Sequence, residues 1–584
     1  MPVERLTTLP DGTTLEVDLV IVGAGACGLT LAREMSGHGV KVLLLESGDR
    51  HESPAYESLN AVEVDPDTWT ASTRALRATY HSALTQHWTA EIQQFGVRCR
   101  GLGGSTIAWA GKSAPFDAVD FQHRDWVPHS GWPVGYADLM PFVDRAAAVL
   151  NLGPHANGDQ LWADAGQTAP DRSIPTDLLR PFYWQFARGR VDATDVMRLG
   201  AEFLAADPAD IRVLTNATVT RVLTDAQGGR FQGLDVADLD GHRVHVRARA
   251  CVLAASAIEN ARLLLVSDDA HKAGLGNRHD LVGRYLTDHP VAELGRFNAA
   301  DAARIERHFG FISLRTGGRS HMYSQGLALS PALQRAENLP NGAVFFMEDR
   351  APDDPISALS RLLSGRSPNR RGDLASIAQS PGPILRGIGL KLMQSDRFPE
   401  GLRRRVADLA VRLAPNTVAS TFRYRGVPHK LTGARFEGIT EQIPDPANRV
   451  RLSSRRDALG VPLPLVRWQV GLPERRALMR QGQLVQQAFS DAGLPVPALR
   501  DWIKNATPEA AQLTDLGHPM GTTRMSDTPT QGVVNADARL HDVAGLYVAG
   551  GSVMPTSGHA NPTLMMLALT IRLADHLKSR LFQR

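Results

Sequence analysis

Cysteine is scarce: Cys27, Cys99 and Cys251 are the only three in 584 residues, and no two stand in C-x-x-C spacing. Such an odd, dispersed set excludes a disulfide framework and a cysteine-built zinc site, and it suits a reducing compartment. Net charge is also low, +3 from 64 basic and 61 acidic side chains, so the chain carries no electrostatic footprint for nucleic acid. No apolar run reaches the roughly 20 residues that cross a bilayer. Met1 to Val17 is polar and lacks the apolar core of a secretory signal, so a cytoplasmic protein is expected. Aromatic residues are few, at 6%, but 43% hydrophobic and 21% charged residues are those of an ordinary globular chain. At this length two domains are expected rather than one core.

The strongest signal present is the run Asp18-Leu-Val-Ile-Val-Gly23-Ala-Gly25-Ala26-Cys-Gly28. Leu19 to Val22 reads as a strand buried on both faces of a parallel sheet. Gly23, Gly25 and Gly28 fit the G-x-G-x-x-G spacing that allows a tight turn, backbone approach to a pyrophosphate and close packing of helix on strand. Leu29 to Met35 continues at helical period, so a helix N-terminus faces the phosphate. Val40 to Leu45 reads as the second strand, and Glu46 at its end is placed to accept hydrogen bonds from a ribose diol. Strand, triplet, helix, strand and acid in this order predict a bound dinucleotide. A carboxylate at position 46 disfavours a 2′-phosphate, which leaves FAD or NAD.

Residues 51–95 turn polar and irregular around Trp69, Tyr80 and Trp88, and read either as a lid over the cofactor or as a packed arm. Arg100-Gly-Leu-Gly103-Gly104-Ser105-Thr106 offers a second turn where backbone can lie against a ligand. Ala250 to Leu253, a small-residue turn and the helical stretch Ala261 to Val266 make another sheet-edge site. Beyond Phe297 the alternating segments Gly342 to Met347, Thr421 to Arg425 and Val450 to Leu452, continued by Pro462 to Val470, suggest an antiparallel sheet, and Pro473 to Phe489 a helix. Within that region 356–413 is rich in Arg, including Arg403 to Arg405. It reads as a solvated helical insertion, or as a docking patch for a membrane or protein partner.

Near the C-terminus, Gly517-His518-Pro-Met-Gly521 precedes the buried strand Leu546 to Ala549, Gly550-Gly551, and then His559-Ala-Asn561-Pro562-Thr563 with a final helix, Leu564 to Leu577. Pro562 suits a first helical turn with Asn561 as its N-cap.

Taken together, the glycine triplet with Glu46, Gly103-Gly104-Ser105, Ala255-Ser-Ala-Ile-Glu-Asn, Leu281-Val-Gly-Arg-Tyr-Leu-Thr-Asp-His-Pro290, His518-Pro-Met-Gly-Thr and Asn561-Pro-Thr follow one family order across nearly the whole chain. The chain resembles the glucose–methanol–choline (GMC) flavin oxidoreductases, with a pattern nearest to the bacterial sugar- and polyol-oxidising members and pyranose oxidase. The resemblance implies an α/β fold, α+β overall, with a Rossmann-like FAD-binding domain in 1–296 and 506–584 and an antiparallel-sheet substrate domain in 297–505. It implies FAD contacts at Gly23, Gly25, Ala26, Gly28, Glu46, Ser47, Arg100, Gly103, Gly104, Ser105, Val219, Ala255, Gly550, Gly551, Asn561, Pro562 and Thr563. His518 falls where the family has its general base and Asn561 where it has Asn or a second His; Trp109 is expected to line the substrate, and His559 to line it or to be structural.

No metal is expected. The implied activity is oxidation of a hydroxyl on a sugar, glycoside or other alcohol, with oxygen, a quinone or a redox protein as electron acceptor. A flavin lyase or decarboxylase, and a flavoprotein subunit of an electron-transfer complex, are the alternatives. Three departures stand out. Ile107, Ala108 and Trp109 occupy the positions where some members attach FAD covalently, so non-covalent FAD is expected. Ser256 replaces a usual Gly, and Gly550-Gly551 replaces a frequent Asp.

Overall fold

The computed structural model describes residues 2–82, 87–155, 160–164, 174–191, 196–208, 210–316, 319–363, 367–380, 384 and 429–582. The apolar run Leu19–Val22 ends the strand Thr14–Val22, buried on both faces at the centre of a largely parallel sheet. On one side it pairs in parallel with Val42–Leu45, beyond which lie Ile211–Thr215 and Val3–Arg5. On the other it pairs in parallel with Arg243–Leu253. The C-terminal end of that long strand takes Leu546–Val548 as a further parallel neighbour, and its N-terminal half pairs antiparallel with Phe231–Ala237 and so reaches Thr218–Thr224. Val22 stands opposite Leu45 and Leu253, and Leu253 opposite Val548, so four strands end level. The helix Thr563–Arg580 packs against both Ala26–Met35 and Tyr136–Val149, which closes one face.

A second sheet is antiparallel throughout, in the order Ala498–Leu499, Val291–Phe297, Leu431–Thr440, Gly342–Arg350, Arg319–Leu329, Leu179–Phe186 and Lys112–Ser113. Its outer face is covered by Ala299–Phe309 and Leu472–Asp491, through a set of aromatic rings in which Phe309 stacks on Phe346 at 4.3 Å and on Phe489 at 5.3 Å. Lys112–Ser113, Leu179–Phe186 and all of Val291–Phe297 but its last residue come from within 1–296, the stretch expected to serve the cofactor domain. Leu179–Phe186 belongs to the second sheet because its backbone pairs along Tyr323–Leu329 while Trp184 packs between Phe182 and Phe345. Arg449–Arg456 and Pro462–Arg467 do not extend the antiparallel sheet as expected. They pair with each other and with Glu63–Val64, forming a small sheet of their own. The expected strand Thr421 to Arg425 and the cluster Arg403 to Arg405 lie outside the described residues. The described part of the insertion, Pro355–Leu363 and Arg370–Gln379, is a pair of helices, the second largely exposed.

The described residues 51–82 and 87–95 are a packed arm that also walls the cavity described below. Trp69, Phe95 and Trp468 form a buried ring cluster, and the Arg77 guanidinium lies 5.4 Å from the Trp69 ring and 5.5 Å from the Trp88 ring. Arg77 Nε donates to Asp515 Oδ1 at 2.6 Å, and its other nitrogens donate to the carbonyls of Gln93 and Gly96 at 2.9 and 2.8 Å. Burial alone would raise the Asp515 carboxyl, but Arg77 and His81 pull it well below the usual carboxylate range. The pair therefore pins the arm to the loop that carries His518. Replacing Arg77 by Met removes the arginine partner of a buried carboxylate, and a loss of about 3–5 kcal/mol is expected. Urea unfolding of the two proteins at neutral pH measures it; a difference below about 1 kcal/mol would show that the pair anchors nothing.

Candidate active site

Because four strands end level, the turns that follow them emerge side by side. Asn260 ties two of them together: its Oδ1 accepts from Ala255 N at 2.9 Å, and its Nδ2 donates to Ser552 Oγ at 3.0 Å. A cavity of about 980 Å³ opens over this edge. Its wall includes Gly23, Gly25, Ala26, Glu46, Ser47, Arg100, Gly104, Ser105, Val219, Ala255, Gly550, Gly551, Asn561, Pro562 and Thr563. Trp109 lines it too, with its indole N–H donating to Met197 O at 2.7 Å. Gly28 and Gly103 stand behind the wall as packing residues. A Cβ on Gly28 would lie 1.9 Å from the Gly23 carbonyl oxygen, and one on Gly103 3.2 Å from Gly200 N.

Glu46 accepts backbone N–H bonds from Ala24 at 2.9 Å, Gly48 at 2.8 Å and Gly101 at 3.0 Å, while burial pushes its carboxyl up. Arg100 Nη1 donates to Ser47 Oγ at 2.6 Å, and Ser47 Oγ is 2.7 Å from Thr218 Oγ1.

The same cavity takes in His518 and residues of the second sheet. Asp288 sets the loop: it accepts from His518 N at 2.7 Å, Leu516 N at 3.1 Å and His289 N at 2.7 Å. His518 Nδ1 is 3.1 Å from His289 Nδ1, and His289 Nε2 is 3.1 Å from the Ser557 carbonyl oxygen. On its other side His518 Nε2 faces Asn561 Nδ2 at 3.5 Å. Burial holds His518 well below the usual histidine range, with a further push from His289, and holds His289 down to about 4. Both imidazoles are neutral at neutral pH.

The structure thus brings His518 and Asn561 together and adds Asp288 and His289. These stand in the segment Leu281 to Pro290, recognised as a motif but given no role. Their role is invisible in sequence because 228 positions separate Asp288 from Leu516. Asn561 is not a helix cap. The final helix is Thr563–Arg580 with Pro562 at its N-cap and no side-chain cap, since the Asn561 amide turns to His518 instead. His559 does not reach the cavity wall. It is wholly buried, packed on Phe182 at 4.6 Å, with neither ring nitrogen hydrogen-bonded among the described residues and Asp117 at 4.0 Å. Ser256 keeps the left-handed backbone that a glycine would supply, at φ 83°, and lines the cavity with a buried hydroxyl that has no partner.

These features fit a dinucleotide. Gly25 and Gly104 face each other so closely that a Cβ on Gly104 would lie 2.8 Å from Gly25 Cα. The helices Ala26–Met35 and Thr563–Arg580 both start at the cavity without a side-chain cap, so their N–H groups are free for anionic atoms.

Comparison with known proteins agrees. Residues 17–291 match a family model described as GMC oxidoreductase, and 444–570 match a second model of the same description. The fructose dehydrogenase large subunit of Gluconobacter japonicus is 26% identical, with 98% of this chain and 99% of that protein aligned. Paromamine 6'-oxidase of Streptomyces fradiae is 24% identical over 97% of this chain and 92% of its own length. Among solved structures, pyridoxine 4-oxidase from Mesorbium loti superposes with a TM-score of 0.54 at 17% identity, covering 97% of this chain and 99% of that one.

His559 yields a pH-dependent prediction. Burial holds it down to about 3, against 6.5 in an unfolded chain. Its folded form refuses a proton that the unfolded chain accepts, so its contribution is intact above pH 6.5 and is lost as the pH falls towards 3. A His559→Leu protein has no such loss. Its stability relative to the parent should rise by about 1.4 kcal/mol per pH unit between about pH 6 and 4. Parallel unfolding curves across that range check it; a pH-independent difference would mean that His559 titrates normally.

Proposed function

Since the chain belongs to the GMC oxidoreductases, we propose that it oxidises a hydroxyl of a sugar or other alcohol using FAD, with His518 as general base. The carrying observation is the hydrogen-bond order through His289. The Ser557 carbonyl can only accept, so His289 Nε2 bears the hydrogen and its Nδ1 is an acceptor. His518 Nδ1 must then donate to it, which leaves His518 Nε2 bare on the cavity side. A bare, neutral, desolvated Nε2 is ready to take the proton of a substrate hydroxyl, and the Asn561 amide beside it can hydrogen-bond the same oxygen. Bound FAD would supply the acceptor for the hydride that leaves the carbon. Glu46, Arg100 with Ser47, the Gly25–Gly104 approach and the two uncapped helices would hold it.

The names of two relatives, a fructose dehydrogenase and a paromamine oxidase, support a carbohydrate-like substrate. One of them is named as a large subunit, which supports a redox protein among the acceptors beside oxygen and a quinone. Readmitting oxygen after anaerobic reduction separates oxygen from the other two. Non-covalent attachment is supported by Ile107, Ala108 and Trp109 at the usual attachment positions, and by Cys27, whose thiol burial pushes up to about 11. Acid precipitation should therefore release all the flavin; yellow colour kept in the pellet would overturn this. The chain has three cysteines, all buried, which supports a cytoplasmic setting.

His518→Ala should slow anaerobic flavin reduction by about 10²–10⁴-fold with FAD content unchanged. His289→Phe removes the acceptor for His518 Nδ1 and should cost about 10–100-fold in kcat with KM little altered. His289→Gln, which can still accept, should recover most of it. Equal rates for parent and His518→Ala would exclude the base assignment.

A further inference from the structure

Lys112 begins the short strand Lys112–Ser113 at the edge of the second sheet and lines the same cavity as His518 and Asn561. Its ammonium sits 4.0 Å from the centroid of the Trp184 ring and 4.1 Å from that of Phe345. Among the described residues no carboxylate lies within 4.0 Å of it and no hydrogen bond is made to it. The other charged groups on that wall are matched. Arg435 Nε donates to Glu437 Oε1 at 3.0 Å, Tyr80 O–H points to Glu437 Oε2 at 3.4 Å, and Arg296 Nε donates to Glu293 Oε1 at 2.6 Å. Lys112 is close enough to His518 for its charge to hold that imidazole down further.

A donor with three N–H bonds, faced by aromatic rings that accept none of them conventionally, needs an oxygen from the cavity side. The chemistry of that oxygen is narrowed by charge. Burial brings the Lys112 ammonium down to about 7, even with Glu437 near enough to hold it up. A carboxylate placed on Lys112 would be repelled by Glu437, and an ammonium would be repelled by Lys112 and Arg435. A neutral hydroxyl meets neither penalty.

We propose that Lys112 determines substrate class, donating to a second hydroxyl oxygen of a neutral sugar or polyol while His518 and Asn561 hold the hydroxyl that is oxidised. This rests on the oxidoreductase reading above. It deepens that reading by separating polyhydroxylated substrates from alcohols with one hydroxyl, from uronates and from amino sugars.

The test uses the FAD-loaded full-length protein and its Lys112→Met and Lys112→Gln variants, matched for flavin content and melting temperature. Anaerobic flavin reduction is followed with neutral sugars and polyols, their one-hydroxyl counterparts, a uronate and an amino sugar. Calorimetric titration of the oxidised protein with the best polyol gives binding without turnover. The parent should prefer the polyol. Lys112→Met should lose about 10–100-fold in kcat/KM and in affinity for it, with a much smaller change on the one-hydroxyl alcohol, and Lys112→Gln should recover part of the loss. Equal losses on both substrates, no loss on either, or dependence on Lys112 confined to the uronate would overturn the Lys112 assignment and leave the oxidoreductase reading standing. If no hydroxyl compound reduces the parent's flavin, the oxidoreductase reading fails and the assignment falls with it.

Discussion

The register of one strand governs this molecule. Leu253 is paired with Val22 on one side and with Val548 on the other, and Val22 is paired with Leu45. Chain segments more than 500 residues apart therefore end on one line, and whatever follows them shares one edge. A slip of one residue in any pair would turn the apolar side chains of that strand to the opposite face. Burial on both faces forbids such a slip, because Leu19 to Val22, Val252, Leu253, Leu546 and Val548 are all almost wholly inaccessible. The glycine turn, the Ala255 turn and the Gly550 turn are held together by a hydrophobic constraint, and the polar stitch through Asn260 is secondary to it.

Burial acts on the chemistry as well. Among the described residues, those within hydrogen-bonding reach of His518 are His289, Asn561 and the carboxylate that accepts from its backbone N–H. Asp288 spends both oxygens on backbone N–H groups, and burial together with the neighbouring Asp515 pushes its carboxyl well above the usual range. It therefore orients the loop without giving His518 the strong anionic partner that would favour imidazolium. A histidine that is to accept a proton only when a substrate hydroxyl arrives is better served by a neutral neighbour with a defined tautomer than by an ionised one.

Much of the cofactor edge was legible in the sequence because its signals are local. A buried strand, a glycine triplet, a helix and an acid within about 30 residues leave few other structures open. The second sheet was only half legible. Alternation pointed to Gly342 onward, but Leu179–Phe186 has too little alternation to reveal its sheet, and Lys112–Ser113 is too short to show any period. Asn561 was misread as a cap because Asn before Pro at a helix start has that local meaning; its contact with His518 spans 43 positions. Of the two roles open to His559, lining or structural, the second fits its place. Neighbouring the reactive loop in sequence, it turns inward to Phe182, a partner on the other sheet.

The division between what was legible and what was not follows a physical boundary. Thr287 and Val291 pair with Met520 and Thr514, so the segment leading into the second sheet and the loop bearing His518 are one hydrogen-bonded unit, further clamped by Asp288. Lys112 and Phe345 stand on strands that pair with Leu179–Phe186, Arg319–Leu329 and Leu431–Thr440, and the strand of Glu437 also pairs with Val291–Phe297. A change of side chain on this wall can alter which oxygen atoms are satisfied in the cavity while the Ser557–His289–His518 order stays as it is. The position of the base is thus set by backbone pairing between segments far apart in sequence, whereas the chemistry of the facing wall is set by single side chains. These two parts of the site can be perturbed separately.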